Sequence, residues 1–397
     1  MKILLAHNIH RSGAPSGDDS VFNNEIALLK RNGHNVIIYK RSNDELFNAS
    51  LIKKIPMWIQ SIWSLKTYWD IKKIIREEKP DIAHFHNIFP LISPSAYYAC
   101  YKMVIPVVQT LHDFRFLCPI AFFFRDGHIC EECARDSLWK SIKYRCFKNS
   151  RFQSAIASFI LWFHKMLGTW GKKVSMYICL TESAYKKFVE FGFPENRITV
   201  KPNFLSINPD NFADNGNYVI FVGRLSYEKG VQVLLEAWKA IEDIPLKIIG
   251  DGPQRDEFKN LAESLRLKNI EFLGMQTHSE TIKLLQNARF MLMPSVCYES
   301  FPLTIGEAFA CGKPVITSNL GAMADIVEDG KTGLLFKPGD SEELAEKVRW
   351  LWNHPDECRR MGENARREYE KTYTPEKNYQ MLMDIYEKVL TTNRKRK

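Results

Sequence analysis

The chain has 397 residues, 45% of them hydrophobic and 12% aromatic, and carries a formal net charge of +9. That length and apolar content suit two α/β cores and exclude a disordered or fibrous chain. No apolar run reaches the roughly 18 residues of a membrane span, and the segment Met1-Lys-Ile-Leu-Leu-Ala-His-Asn8 lacks the apolar core of a signal peptide, so a cytoplasmic protein is expected.

From the N-terminus, short β-branched runs alternate with amphipathic helical stretches, the pattern of parallel sheets built from βαβ units. Strands are expected over residues 2–8, 35–40, 81–87, 106–112, 174–181 and 198–202. The loop after the first, His10-Arg-Ser-Gly13-Ala-Pro15-Ser-Gly17-Asp-Asp19, is glycine-containing but does not fit G-x-G-x-x-G, which counts against a nicotinamide enzyme.

Between the fourth and fifth strands lie Cys118, Cys130, Cys133 and Cys146. One C-x2-C knuckle with two outlying cysteines suits a structural tetrathiolate zinc site, and four unrelated reduced thiols fit the spacing equally well. Nine cysteines without a secretion signal favour thiols or metal ligands over disulfides. The surplus positive charge lies in the first half of the chain. Residues 137–181 contain no Asp or Glu and carry Lys140, Lys143, Arg145, Lys148, Arg151, Lys165, Lys172 and Lys173, with an apolar helical stripe of Ile156, Phe159, Ile160, Trp162, Phe163 and Met166. Such a helix suits the interface of an anionic bilayer, or a core face with a solvated basic side. Nucleic acid matches the charge, but no recognition motif accompanies it.

Residues 205–217, with Pro209, Gly216 and several Asn and Asp, read as a linker, after which the alternation restarts. Strands are expected over 218–225, 246–251, 270–274, 290–294, 314–318 and 333–336, followed by a helical tail from Ser341 with Pro355 and Pro375 near helix starts. At the first of these strands stands Gly223-Arg224-Leu-Ser-Tyr-Glu-Lys229-Gly230, where glycine allows a tight exit and the two cations can converge on a diphosphate. At the fourth, Pro294-Ser-Val-Cys-Tyr-Glu299-Ser-Phe-Pro302-Leu-Thr-Ile-Gly-Glu307 leads into a helix near Leu303. Helix-start amides attract a phosphate, and carboxylates at the strand ends accept hydrogen bonds from sugar hydroxyls.

These elements, with Gly250-Asp-Gly-Pro253 and Lys201-Pro-Asn203, resemble family 4 of the glycosyltransferases over almost the whole chain. The resemblance implies two Rossmann-like domains in the GT-B arrangement: 1–205 on the acceptor side with a cysteine insert at 114–150, 206–374 for the donor nucleotide, and a C-terminal helix, 375–397, returning to the first domain. It implies diphosphate binding by Arg224 and Lys229, ribose binding by Glu307, and contact of Glu299 and His112 with the transferred sugar. Further donor contacts are implied at Asp113, Gly223, Phe301, Leu303 and Thr304, with the base near Gly274 and Met275. The loop around Gly13 and Gly17 would approach phosphate and acceptor, although Ser12-Gly13-Ala14 lacks the glycine pair of many members, and Pro302 removes one amide from the helix start.

The implied activity is sugar transfer, with retained configuration, from a UDP- or GDP-sugar to a growing cell-surface polysaccharide or lipid-linked oligosaccharide, at most peripherally on the inner face of the membrane. No cofactor is needed for that chemistry, and no Asp-x-Asp motif is present to hold a metal. A sugar-nucleotide epimerase or a non-catalytic donor-binding partner would use the same fold.

Overall fold

The computed structural model describes residues 1–10, 16–47, 58–207 and 216–394. Two compact units emerge. The first comprises Met1–Phe122, Glu131–Asn203 and Pro375–Lys397, and the second Phe123–Cys130 and Phe204–Thr374.

The first unit holds a six-stranded parallel sheet of β1 (Lys2–Ile9), β2 (Asn35–Ser42), β3 (Ile82–Phe85), β4 (Val107–Leu111), β5 (Met176–Cys179) and β6 (Ile198–Val200). Its order is β2-β1-β3-β4-β5-β6, so the winding direction reverses between β1 and β3. Helix α1 (Gly17–Arg31) starts from a capping box in which Ser16 and Asp19 exchange side-chain and backbone hydrogen bonds. Helix α2 (Arg151–Met166) is capped by Ser150.

The second unit repeats the plan with β7 (Val219–Val222), β8 (Leu246–Ile249), β9 (Ile270–Gly274), β10 (Met291–Met293), β11 (Val315–Ser318) and β12 (Gly333–Phe336) in the order β9-β8-β7-β10-β11-β12. Helices α3 (Val231–Trp238), α4 (His278–Asn287) and α5 (Leu303–Ala310) follow β7, β9 and β10. Their apolar faces, with those of later helices, cover a core around Phe221, Leu235, Trp238, Ile248 and Phe290. The last helix, α6 (Pro375–Arg394), belongs to the first unit, where Leu382, Ile385, Tyr386 and Val389 share a core with Ile3, Leu5, Phe22 and Ile178.

Every strand expected from the sequence forms, each within two residues of the expected range, and both sheets are parallel. The reading of α2 is only half right. Its apolar stripe is split: Ile160 is buried, Ile156, Phe159 and Phe163 are half-buried, and Trp162 and Met166 are exposed. Ser154, Ser158, Ile160, Leu161 and His164 are buried, while Phe152, Trp162 and Met166 are exposed. The polar groups can turn inward because they are bonded there. Ser158 Oγ meets Ser141 Oγ and donates to the Leu138 carbonyl, and the two His164 nitrogens bond Thr169 Oγ1 and the Ile62 carbonyl. The hairpin Phe124–Arg125/His128–Ile129, inside the cysteine insert, sorts with the second unit rather than the first. The core of the expected linker, residues 208–215, lies outside the described residues.

Candidate functional site

In open α/β sheets, ligands bind beyond the carboxyl ends of the strands where the winding reverses. In the second unit that place is between β7 and β10, and the loops leaving these two strands carry Arg224, Lys229 and Glu299. The loops are tied together. The Val296 N–H donates to the Glu228 carbonyl, and Lys229 Nζ donates to Glu299 Oε1 at 2.6 Å. Ser295 Oγ donates to the same oxygen at 2.8 Å. Arg224 Nη2 reaches Glu228 Oε1 at 2.6 Å, and the Arg224 side chain is half exposed. Burial works against the Lys229 charge, but Glu299 outweighs it and holds the ammonium above its ordinary range.

Glycines let these loops close up, though not where the sequence suggested. Gly223 has no positive φ. The demand falls on its neighbours: a Cβ on Gly250, at φ +134°, would stand 1.9 Å from the Gly223 carbonyl oxygen, and one on Gly252 would stand 2.3 Å from that of Leu225. Gly230, at φ +71°, would bring a Cβ to 1.8 Å from the Pro294 carbonyl oxygen. The Gly250-Asp-Gly motif is thus the floor on which the Arg224 loop rests, and Gly230 seats that loop against the end of β10.

Helix α5 begins at Leu303 after Pro302, which contributes no side-chain cap. Phe301 is buried with its ring 5.6 Å from that of Tyr373, and Thr304 Oγ1 reaches the Met293 sulfur at 3.5 Å. Glu307, one turn into α5, is buried and accepts from His278 Nε2 at 3.1 Å. That bond raises the His278 pKa from its ordinary value. His278 was not singled out from sequence; the signal was there in the Thr277-x-x-Glu280 capping box, which starts α4 at His278 with Thr277 as its cap. Gly274 ends β9 at φ +70°, and Met275 beside it is 72% exposed.

In the first unit, His112 follows β4 with its side chain only 3% exposed. Asp113 is engaged locally, accepting from the Arg115 N–H at 2.8 Å and from its guanidinium at 3.1 Å. Gly17 opens α1, and Gly13 lies outside the described residues. Cys100, Cys179, Cys297, Cys311 and Cys358 are buried thiols. Among the described residues the one group of three or more His, Cys, Asp or Glu close enough to share an ion is Glu25, His84 and His86, so the zinc expectation for Cys118, Cys130, Cys133 and Cys146 gains nothing from the structure.

Two family models match consecutive stretches: Glycosyltransferase Family 4 over residues 20–208 and Glycosyl transferases group 1 over 205–368. The chain belongs to the family 4 type of GT-B glycosyltransferases. This family 4 chain is 27% identical over 374 residues to an uncharacterized glycosyltransferase of Methanocaldococcus jannaschii, covering 92% of this chain and 93% of that protein. It is 35% identical over 159 residues to a D-rhamnosyltransferase of Pseudomonas aeruginosa and 32% over 178 residues to an O-antigen chain mannosyltransferase of Escherichia coli. Those matches span 40% and 44% of the chain and less than half of each relative, 42% and 47%. Among solved structures, a sucrose-phosphate synthase of Thermosynechococcus elongatus shares the fold with a TM-score of 0.71 at 18% identity, over 98% of this chain and 99% of that one. The Anabaena HepE protein in complex with UDP follows at 0.66 and 18%, over 97% and 99%.

Proposed function

We propose that this chain moves a sugar from a nucleoside-diphosphate sugar, UDP- or GDP-linked, to a cell-surface polysaccharide or lipid-linked oligosaccharide, with retention of configuration. The observation that carries the reading is the convergence of Arg224, Lys229 and Glu299 at the strand-order reversal of the second sheet, with Glu307 on the helix that leaves the same strand. The matched rhamnosyl- and mannosyltransferases and the UDP complex on the same fold support it.

The chemistry follows from charge. Breaking the bond from the anomeric carbon to the diphosphate builds negative charge on the leaving phosphate, which Arg224 and Lys229 oppose. A well-aimed donor of this kind supplies about 3 kcal/mol of transition-state stabilisation. Glu299 holds Lys229 in place. A bound diphosphate competes for that ammonium, and Glu299 then accepts from sugar hydroxyls while Glu307 accepts from the ribose. Retention is assigned to same-face attack, the leaving phosphate oxygen taking the proton of the acceptor hydroxyl.

The exposed Phe152, Trp162 and Met166 of α2, with the exposed Lys165 on the same helix, support peripheral attachment to an anionic membrane, where lipid-borne acceptors reside. Among the described residues no helix is long and apolar enough to cross a membrane.

The deciding measurement is thermal stabilisation by UDP, GDP, ADP, CDP and NAD. A ligand at a hundredfold excess over its Kd stabilises the native state by about 2.7 kcal/mol. UDP or GDP is expected to raise the melting temperature of the wild type and to lose that effect in Arg224→Ala. A shift by NAD alone, or an equal shift in the variant, overturns the reading.

A further inference from the structure

Below His112 runs a line of buried polar side chains contained in the first unit. His112 Nε2 lies 2.9 Å from His86 Nδ1, and the two rings are within 22° of coplanar with centroids 5.1 Å apart, the geometry of an in-line ring-to-ring hydrogen bond. His86 Nε2 lies 3.1 Å from Glu25 Oε1. The other Glu25 oxygen is 3.7 Å from Lys201 Nζ, which donates to Asn378 Oδ1 at 2.8 Å. The His86, Glu25 and Lys201 side chains are almost wholly enclosed.

Glu25, His84 and His86 are near enough to suggest a cation site. The surroundings speak for a hydrogen-bond network instead. Lys201 already compensates the Glu25 charge, and the two His84 nitrogens are engaged by Tyr386 Oη at 2.7 Å and Thr110 Oγ1 at 2.8 Å.

The protons along the line are determined step by step. Burial works against the Glu25 charge, but His84 and His86, each with a ring nitrogen 3.1 Å from Oε1, outweigh it and hold the carboxyl well below its usual range. An ionised carboxylate only accepts, so His86 must donate from Nε2. Burial pushes His86 down to about 4, so the ring is neutral and its Nδ1 is a lone pair. His112 must then donate from Nε2. Burial also holds His112 well below its ordinary value, which leaves its Nδ1 unprotonated. That nitrogen is enclosed and has no hydrogen-bond partner among the described residues, with Asp18 Oδ1 at 3.8 Å. A buried acceptor without a donor is destabilising, and a hydroxyl-bearing ligand removes that cost.

We infer that Glu25 and His86 are positioning residues that lock the His112 proton on Nε2 and so present Nδ1 as a fixed acceptor for a ligand hydroxyl. The assignment of that hydroxyl to the sugar rests on the transferase reading; the proton placement does not. An N–H at this position would donate to a lone pair of the hydroxyl oxygen, whereas a bare Nδ1 takes the hydroxyl proton and so fixes the direction of the bond.

The test is a two-bond proton–nitrogen correlation spectrum of the full-length protein labelled with nitrogen-15 at histidine, without ligand, with His112 assigned from the His112→Gln variant. The expected pattern is a single tautomer, Nδ1 at the unprotonated position and Nε2 at the protonated one. In His86→Leu the lock is gone, and His112 is expected to show averaged or reversed shifts. A wild-type His112 protonated on Nδ1, or a mixture of tautomers, overturns the proposal, as does an unchanged tautomer in folded His86→Leu. Since the spectrum needs no nucleotide, failure of UDP and GDP to stabilise the protein sinks the transferase reading and leaves this result standing.

Discussion

Gly250 shows how much of the donor loop is backbone rather than side chain. Its φ of +134° lies where L side chains are strained, and the Gly223 carbonyl occupies the place of a Cβ. Neither can yield without moving the end of β7, and with it Arg224. Gly250→Ala is therefore expected to cost at least about 2 kcal/mol of stability in urea denaturation and to weaken nucleoside-diphosphate binding together with it. A variant as stable as the wild type would mean that the Gly250 loop does not support the Arg224 loop. At this scale the sequence singled out the charged residues but misplaced the strain. The Gly-Arg and Glu-x7-Glu elements stood out through their joint resemblance to a family pattern, since either glutamate alone reads as a surface charge. The requirement for glycine one strand away was not, since contact between β7 and β8 is set by sheet order. His86 and Glu25 were missed for the opposite reason: a histidine inside an expected buried strand looks like core, and its partner comes from a helix 61 residues away in sequence.

The helix α2 illustrates what periodicity tells about an element and what it omits. A repeat of apolar residues fixes which side chains share a face, not whether that face is inside. Here Ser154, Ser158 and His164 find partners in the unit, and Phe152, Trp162 and Met166 are left in solvent, with Trp139 and Tyr144 exposed nearby. An exposed aromatic face beside a stretch without acidic residues is expected to bind vesicles containing phosphatidylglycerol and to leave neutral phosphatidylcholine vesicles unbound, as sedimentation measures. Trp162→Glu with Met166→Glu should abolish the binding, and raised salt should weaken it. Equal binding to neutral vesicles, or unimpaired binding by the double variant, would remove the membrane role of this face. The strands by contrast were fully legible, because buried parallel strands read as continuous β-branched runs and need no decision about sides.

Across the whole molecule, the two parallel sheets follow from alternation alone, whereas the sorting of Phe123–Cys130 with the second unit rests on contacts distant in sequence that no local pattern announces. The buried histidines also set a property of the whole chain, its response to acid. Burial depresses His86 to about 4 and lowers His112, His164 and His34 from their usual values. A group depressed in the native state contributes stability that is present above its unfolded pKa, about 6.5 for histidine, and lost as pH falls toward the folded value. Asp18 works the other way. Burial first, then the Asp113 and Asp19 carboxylates, raise it to about 7, so its contribution is present at low pH and lost as pH rises through about 7. The exposed His278, raised by Glu307, adds a smaller effect of the same sign. With His86 and His112 both fully enclosed, the histidines prevail, and each one that stays neutral while its unfolded counterpart is charged contributes a slope of about 1.4 kcal/mol per pH unit. The urea midpoint is accordingly expected to fall between pH 7 and pH 5. Asp18→Asn removes the opposing carboxyl and should steepen the fall, while His86→Leu should make it shallower by close to one proton. A midpoint that is flat or rises on acidification would mean that these histidines are charged in the native protein, and the tautomer lock beneath His112 could not hold.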